Sequence, residues 1–191
     1  MQSSLRSLLT AVLLTGILII SGCSSPVADL PQVPQVQNED YHLAAGDQVR
    51  IITFSDEQLT GDFRVNDSGN IALPLLGPVH AEGLTTNQLE RKVVAALQQK
   101  NLYRDPSVAV EVISYRPVFV LGEVAKPGQY PYQPGMSVVT AVAIAGGFTY
   151  RAVQDTASIV RITKGKSEEF KADRESLVRP GDVITIFERR F

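Results

Sequence analysis

Beyond its apolar leader, this chain sustains helical periodicity over only one long stretch, and that restricts what it can fold into. Leu89, Val93 and Leu97 recur every fourth residue, and Val94 and Ala96 widen the stripe. Thr85-Thr86-Asn87-Gln88 precedes them as a capping box, so a helix is expected to run to about Lys100. The surrounding segments read as short alternating strands bounded by Gly and Pro. Gln48–Phe54 sets Val49 and Ile51 on one face and Ile52 and Phe54 on the other. Asp67-Ser68-Gly69-Asn70 predicts a hairpin turn joining strands 63–65 and 71–73, and 107–115 reads as a strand with Val108, Val110 and Val112 on one face. Leu76-Gly77-Pro78-Val79 is expected to lead into the helix start. One main helix among short strands means an α+β fold.

Pro117 marks a boundary. Strand 118–124, a tight turn at Lys126-Pro127-Gly128-Gln129 and a return strand 129–132 follow it. Ser137 then caps a short helix 138–145 that Gly146-Gly147 terminates. Strands 158–163 and 168–171 flank Lys164-Gly165-Lys166, and Arg179-Pro180-Gly181-Asp182 turns into a last strand, Val183–Glu188. The chain echoes itself once: Gly46-Asp47 and Gly181-Asp182 each open an alternating apolar run. Two small α+β units sharing one turn-strand device account for the echo.

The N-terminus carries an address. Arg6 leads into thirteen mostly apolar residues, 8–20, within the ~7–15 residues of a secretory signal and short of the ~20 that span a bilayer. Ser21-Gly22 then precedes Cys23, the single cysteine, where a bacterial lipoprotein signal places the thiol that is acylated. Cleavage before Cys23 would remove residues 1–22 of 191 and leave 169, enough for one ordinary domain or two small ones. Residues 24–40 hold Pro26, Pro31 and Pro34 without aromatic residues or glycine, and read as an extended tether reaching roughly 50 Å.

Composition narrows the function classes. A net charge of −2, about −3 without Arg6, offers no electrostatic case for nucleic acid. Two His and one Cys make zinc ligand sets and cysteine nucleophiles poor expectations, and no metal or cofactor is called for. Asp47 and Asp182 could form a carboxylate pair for acid–base chemistry, but an Asp after Gly at a strand start more simply caps its own turn. His42 and His80 have no partner at a telling spacing, Ser137 has no nearby base, and Gly146-Gly147 ends a helix where a phosphate cradle would begin one. Tyr115, Phe119, Tyr130, Tyr132, Phe148 and Tyr150 concentrate in the second unit, where they suit either a core or the C–H faces of sugars. No catalytic residue emerges, and an enzyme is not expected.

Three segments carry a family resemblance. Tyr41-His-Leu-Ala-Ala-Gly-Asp-Gln-Val-Arg-Ile, Val65-Asn-Asp-Ser-Gly-Asn-Ile-Ala-Leu-Pro-Leu-Leu-Gly-Pro-Val and Gly83-Leu-Thr with the helix to Leu97 resemble the polysaccharide export domain of bacterial outer-membrane export lipoproteins of the Wza type. Val120-Leu-Gly-Glu-Val-Ala-Lys-Pro-Gly-Gln-Tyr, Ala145-Gly-Gly-Phe and Arg179-Pro-Gly-Asp-Val-Ile look like a soluble-ligand-binding β-grasp (SLBB) module. The resemblance implies an export domain over 41–116, a small mixed sheet with one main helix, and a β-grasp domain over 117–191, behind a leader (1–22) and a lipidated tether (23–40). It implies a lipid-anchored outer-membrane protein facing the periplasm, forming a homo-oligomeric ring that passes capsular or exopolysaccharide. The implied partner is an inner-membrane chain-length co-polymerase. Stopping at Phe191, the chain resembles short members without a C-terminal pore helix, which are expected to rely on an outer-membrane pore protein. The competing readings are a periplasmic saccharide-binding or sensing lipoprotein and, less well supported, a cell-wall hydrolase.

Overall fold

The computed structural model describes residues 27, 29–34, 40–54, 57–163 and 165–189. The leader and Cys23 lie outside the described residues. The first unit comprises strands β1 (Gln48–Phe54), β2 (Gly61–Arg64), β3 (Asn70–Leu73) and β4 (Gly77–His80), helix α1 (Thr86–Gln99) and strand β5 (Ser107–Ser114). The second comprises β6 (Val118–Gly122), β7 (Gly128–Tyr130), α2 (Val138–Ile144), β8 (Ala152–Thr163), β9 (Lys166–Asp173) and β10 (Val183–Glu188). The fold is α+β with one main helix, as the periodicity implies.

In the first unit β1 lies between β2 and β5, antiparallel to both. Alternation places Val49 and Ile51 of β1 in the core with Val108 and Val110 of β5, and α1 closes that core with Leu89, Val93 and Leu97. Each of these helix side chains, removed from water, contributes about 1.5–3 kcal/mol. The capping box fixes where α1 begins: the Gln88 amide donates to Thr85 Oγ1 (3.3 Å), and the Thr85 amide donates to Gln88 Oε1 (2.9 Å).

The expected hairpin is not a pair. β2 joins β1, and β3 pairs with β4 in a separate two-stranded ribbon. Between them the Asn66 side chain closes a local loop, accepting from the amides of Ser68 and Asn70, while Val65 is held away by bonds to the first Gly-Asp turn. The segment expected to lead into the helix is a strand, with Pro78 opposite Ala72. A two-stranded ribbon tolerates proline because one side of each strand needs no donor.

The second unit is a five-stranded mixed sheet, ordered β7-β6-β10-β8-β9, with β6 and β10 parallel and the other neighbours antiparallel. Val138, Ala141 and Val142 of α2 cover a face built from Val118, Val120, Ile159, Ile184 and Ile186. β8 starts at Ala152, six residues before the expected strand, and β9 extends to Lys166–Asp173. Gly122, at φ +82°, passes so close to β10 that a Cβ would lie 2.0 Å from the Ile186 carbonyl oxygen. Only glycine permits that approach.

The tether departs from expectation most clearly. The Val33 amide donates to the Lys171 carbonyl (2.8 Å) and the Lys171 amide to the Pro31 carbonyl (2.8 Å), a parallel bridge onto the free edge of β9. Val33 is 3% exposed and belongs to the second core, and Val27 is 2% exposed. A proline-rich segment can dock this way because the bridge uses the carbonyl of Pro31, which needs no N–H.

Candidate functional site

The two Gly-Asp turns are one device built twice, and a cleft lies at the seam between them. In both, a glycine in the left-handed region (Gly46 at φ +100°, Gly181 at φ +90°) lets the chain reverse. The next aspartate donates its amide three residues back, Asp47 to Ala44 and Asp182 to Arg179, each at 3.1 Å. Its carboxylate accepts the amide of that same residue: Ala44 N to Asp47 Oδ2 at 2.9 Å, Arg179 N to Asp182 Oδ2 at 2.7 Å. Both aspartates are buried, at 0% and 1% exposure. Their oxygens are engaged by donors, so they act as turn caps and leave no free carboxylate for proton transfer.

Their remaining partners differ. Asp182 accepts a two-pronged bond from Arg161 of β8, Nε to Oδ1 at 2.9 Å and Nη2 to Oδ2 at 2.7 Å. The Val160–Val183 register brings Arg161 beside the start of β10. Asp47 accepts the Tyr41 hydroxyl at 2.6 Å and the Arg116 amide at 3.0 Å, with Arg116 Nε 3.5 Å from Oδ1. The Arg116 side chain then crosses the seam. A Cβ on Gly46 would meet Arg116 Cγ at 3.3 Å, and one on Gly181 would meet Arg116 Nη1 at 3.3 Å. One arginine at the junction therefore packs against both turns.

Three tyrosines form a ladder at the same junction. Tyr41 and Tyr115 meet edge to face at 5.0 Å between ring centroids, and Tyr115 and Tyr132 at 5.4 Å. Burial pushes the Tyr41 phenol well above its ordinary value, and its bond to the Asp47 carboxylate reinforces this. Burial likewise raises Tyr132. Both remain protonated donors at neutral pH. Tyrosines and arginines of the two units together line a cleft of about 440 Å³.

The other expected candidates separate cleanly. His42 is exposed at the cleft rim, and His80 is exposed with Nδ1 3.2 Å from Asn70 Oδ1. Ser137 accepts the Thr140 amide as a helix cap, and Gly146-Gly147 follows the end of α2. Tyr130, Tyr132 and Phe148 pack on the second core, whereas Tyr150 is 90% exposed. Tyr115, which reads from the sequence as part of the second unit's aromatic set, sits in the ladder between Tyr41 and Tyr132. Arg116 and Arg161 carried no sequence signal of their own. The Gly-Asp echo was the one available hint that something must bind those carboxylates. Among the described residues no group of three or more His, Cys, Asp or Glu is placed to hold a metal ion, and no helix is long and apolar enough to cross a membrane.

Residues 35–113 match the family model of polysaccharide biosynthesis/export proteins, and residues 117–171 match that of the SLBB domain. The chain therefore carries a polysaccharide biosynthesis/export domain followed by an SLBB domain. The junction between the two matches falls at residues 114–116, so the Tyr115–Arg116 pair sits at the seam itself. Similar relatives include the exopolysaccharide production protein ExoF of Rhizobium meliloti (strain 1021), 41% identical over 47% of this chain and 21% of its own length. The EPS I polysaccharide export outer membrane protein EpsA of Ralstonia solanacearum is 29% identical over 63% of this chain and 32% of its own. The polysialic acid transport protein KpsD of Escherichia coli is 31% identical over 58% of this chain and 20% of its own. The chain thus spans a fifth to a third of the length of these relatives.

Proposed function

We propose that this protein is a non-enzymatic component of a conduit exporting capsular or exopolysaccharide, held at the outer membrane through acyl chains on Cys23 and facing the periplasm. The observation that carries the reading is the ordered pair of matches, an export domain followed without a gap of more than three residues by an SLBB domain. The names of the relatives, all concerned with exopolysaccharide production, polysaccharide export or polysialic acid transport, support the same role. Ser24, in place of the Asp that retains lipoproteins at the inner membrane, supports outer-membrane delivery. The working unit is a ring of identical copies joined by heterologous contacts, receiving polymer from an inner-membrane co-polymerase and passing it to an outer-membrane pore protein.

A clean gene deletion tests this. Exopolymer should disappear from the medium while polymer synthesis continues in membrane extracts, and undiminished release would remove the export reading. The 440 Å³ cleft favours a second reading, a saccharide-binding lipoprotein that translocates nothing. Cross-linking in native membranes separates the two: a ladder ending at one discrete size supports the conduit, and a ladder ending at monomer or dimer in exporting cells supports the sensor.

A further inference from the structure

We propose that the cleft at the seam binds a neutral glycan segment of one or two hexose rings, with the tyrosine ladder against its C–H faces and the arginine side bonding its hydroxyls. The cavity of about 440 Å³ falls within the ~300–1,000 Å³ of ordinary small-ligand sites. Tyr41, Tyr115 and Tyr132 give it a rigid aromatic wall, fixed edge to face and reaching from one unit to the other. Rings held this way expose apolar surface without needing to order on binding, which lowers the entropic cost of association.

Charge decides the ligand class. Arg116, Arg161 and Arg179 line the cleft, but Asp47 and Asp182 stand against two of them and Asp40 lines the wall as well. Three guanidinium groups against three carboxylates leave no net field for a multiply charged anion. What remains is a dense set of hydrogen-bond donors. The Arg161–Asp182 fork uses Nε and Nη2 of Arg161, so its Nη1 hydrogens take no part in that pair. Hydroxyls spaced around a sugar ring match an aromatic wall facing fixed donors, whereas an acyl chain would bury those donors unpaired. The site spans both units, so a bound glycan would also hold them together.

The proposal takes its physiological occupant from the export reading, but the binding is measurable without export. The full-length protein would be titrated with cellobiose, maltose and galactobiose, with digalacturonate as the anionic arm, using saturation-transfer NMR. Tyrosine fluorescence gives a second readout, since the chain has no Trp. At least one neutral disaccharide should bind with Kd on the order of 1 mM. Tyr132→Ala should weaken it at least about tenfold, and Tyr132→Phe, which keeps the ring, should restore it. Ile162 lines the cleft and is 68% exposed, so Ile162→Arg obstructs the cleft without touching the core and should weaken binding to a similar degree. Tyr150→Ala, outside the cleft, should change nothing. The proposal is overturned if no neutral disaccharide binds, if digalacturonate alone binds, or if Tyr132→Ala and Ile162→Arg both bind as wild type. If the cleft variants lose binding while a gene deletion leaves polymer release unchanged, the saccharide site stands and the export reading falls.

Discussion

The turns at Asp47 and Asp182 share backbone geometry but not dependence. Asp182 is satisfied within its own unit: β8 supplies the guanidinium and the turn supplies the amide, so the second unit can complete its cap alone. Asp47 accepts its Arg116 amide from the last residue before the second unit, and that residue's side chain leans on Gly181. One turn is self-contained and the other is shared across the seam. A repeated local motif therefore reports a common backbone solution and leaves open which contacts hold the molecule together.

The largest test breaks the self-contained turn. Asp182→Ala strands the Arg161 guanidinium, 7% exposed, without its carboxylate, and should cost about 3–5 kcal/mol in denaturant unfolding. Arg161→Met with Asp182→Asn, removing both charges together, should recover much of that loss. A cost below about 1 kcal/mol for Asp182→Ala would mean that water reaches the pair and the two turns are energetically alike.

Next comes the Arg116 contact that links the two turns. Gly181→Ala introduces strain at φ +90° and a Cβ against Arg116 Nη1, and should destabilise by about 1–3 kcal/mol. Arg116→Ala combined with Gly181→Ala should cost less than the sum of the two, because the clash is then gone. Strict additivity would show that Arg116 does not couple the turns. Arg116→Ala alone should cost on the order of 1 kcal/mol and broaden the unfolding transition as the units separate.

The pH dependence sharpens the contrast further. Tyr41 ordinarily ionises near pH 10.0, and its phenol is raised in the fold by burial first and by Asp47 second. A group whose folded pKa lies above its unfolded pKa contributes stability that is fully present below the unfolded value and lost as pH rises beyond it. Stability should therefore hold through neutral pH and fall above about pH 10, and Tyr41→Phe should flatten that fall. Equal alkaline slopes in the variant and wild type would place the loss elsewhere. The smallest effect concerns the exposed Arg50–Asp62 pair across β1 and β2, where Asp62→Asn should leave Tm unchanged within error.

Local patterns were legible where one face is buried and the other wet. β1 and β10 have the bounds that their alternation implies, and the capping box starts α1 at the expected residue. The two aspartates cap their turns as residue type and position suggest. Partner choice was not legible. That β2 joins β1 and β3 joins β4 depends on backbone groups that every residue carries, and the hairpin signal at Asp67–Asn70 described a loop without saying what lay on either side. The strand at Pro78 was hidden because proline argues against a ladder and only a two-stranded ribbon excuses it. Half of the cleft was foreseeable, since the aromatic cluster is visible in the sequence. The crossing of Arg116 was not, because nothing local marks a side chain that packs on a turn sixty-five residues further on.

Under the proposed acylation of Cys23, the docking of Pro31–Val33 on β9 has a consequence for how the molecule would sit at a membrane. With acyl chains on Cys23, the leash to buried Val27 is four residues, no more than about 14 Å when fully stretched. A body on a 50 Å string tumbles and presents every side to the bilayer. One moored at 14 Å keeps its anchored flank close to the lipid headgroups and has little freedom to turn over. Copies moored alike would share one upright pose before they ever touched, so the membrane would act as a jig that aligns them.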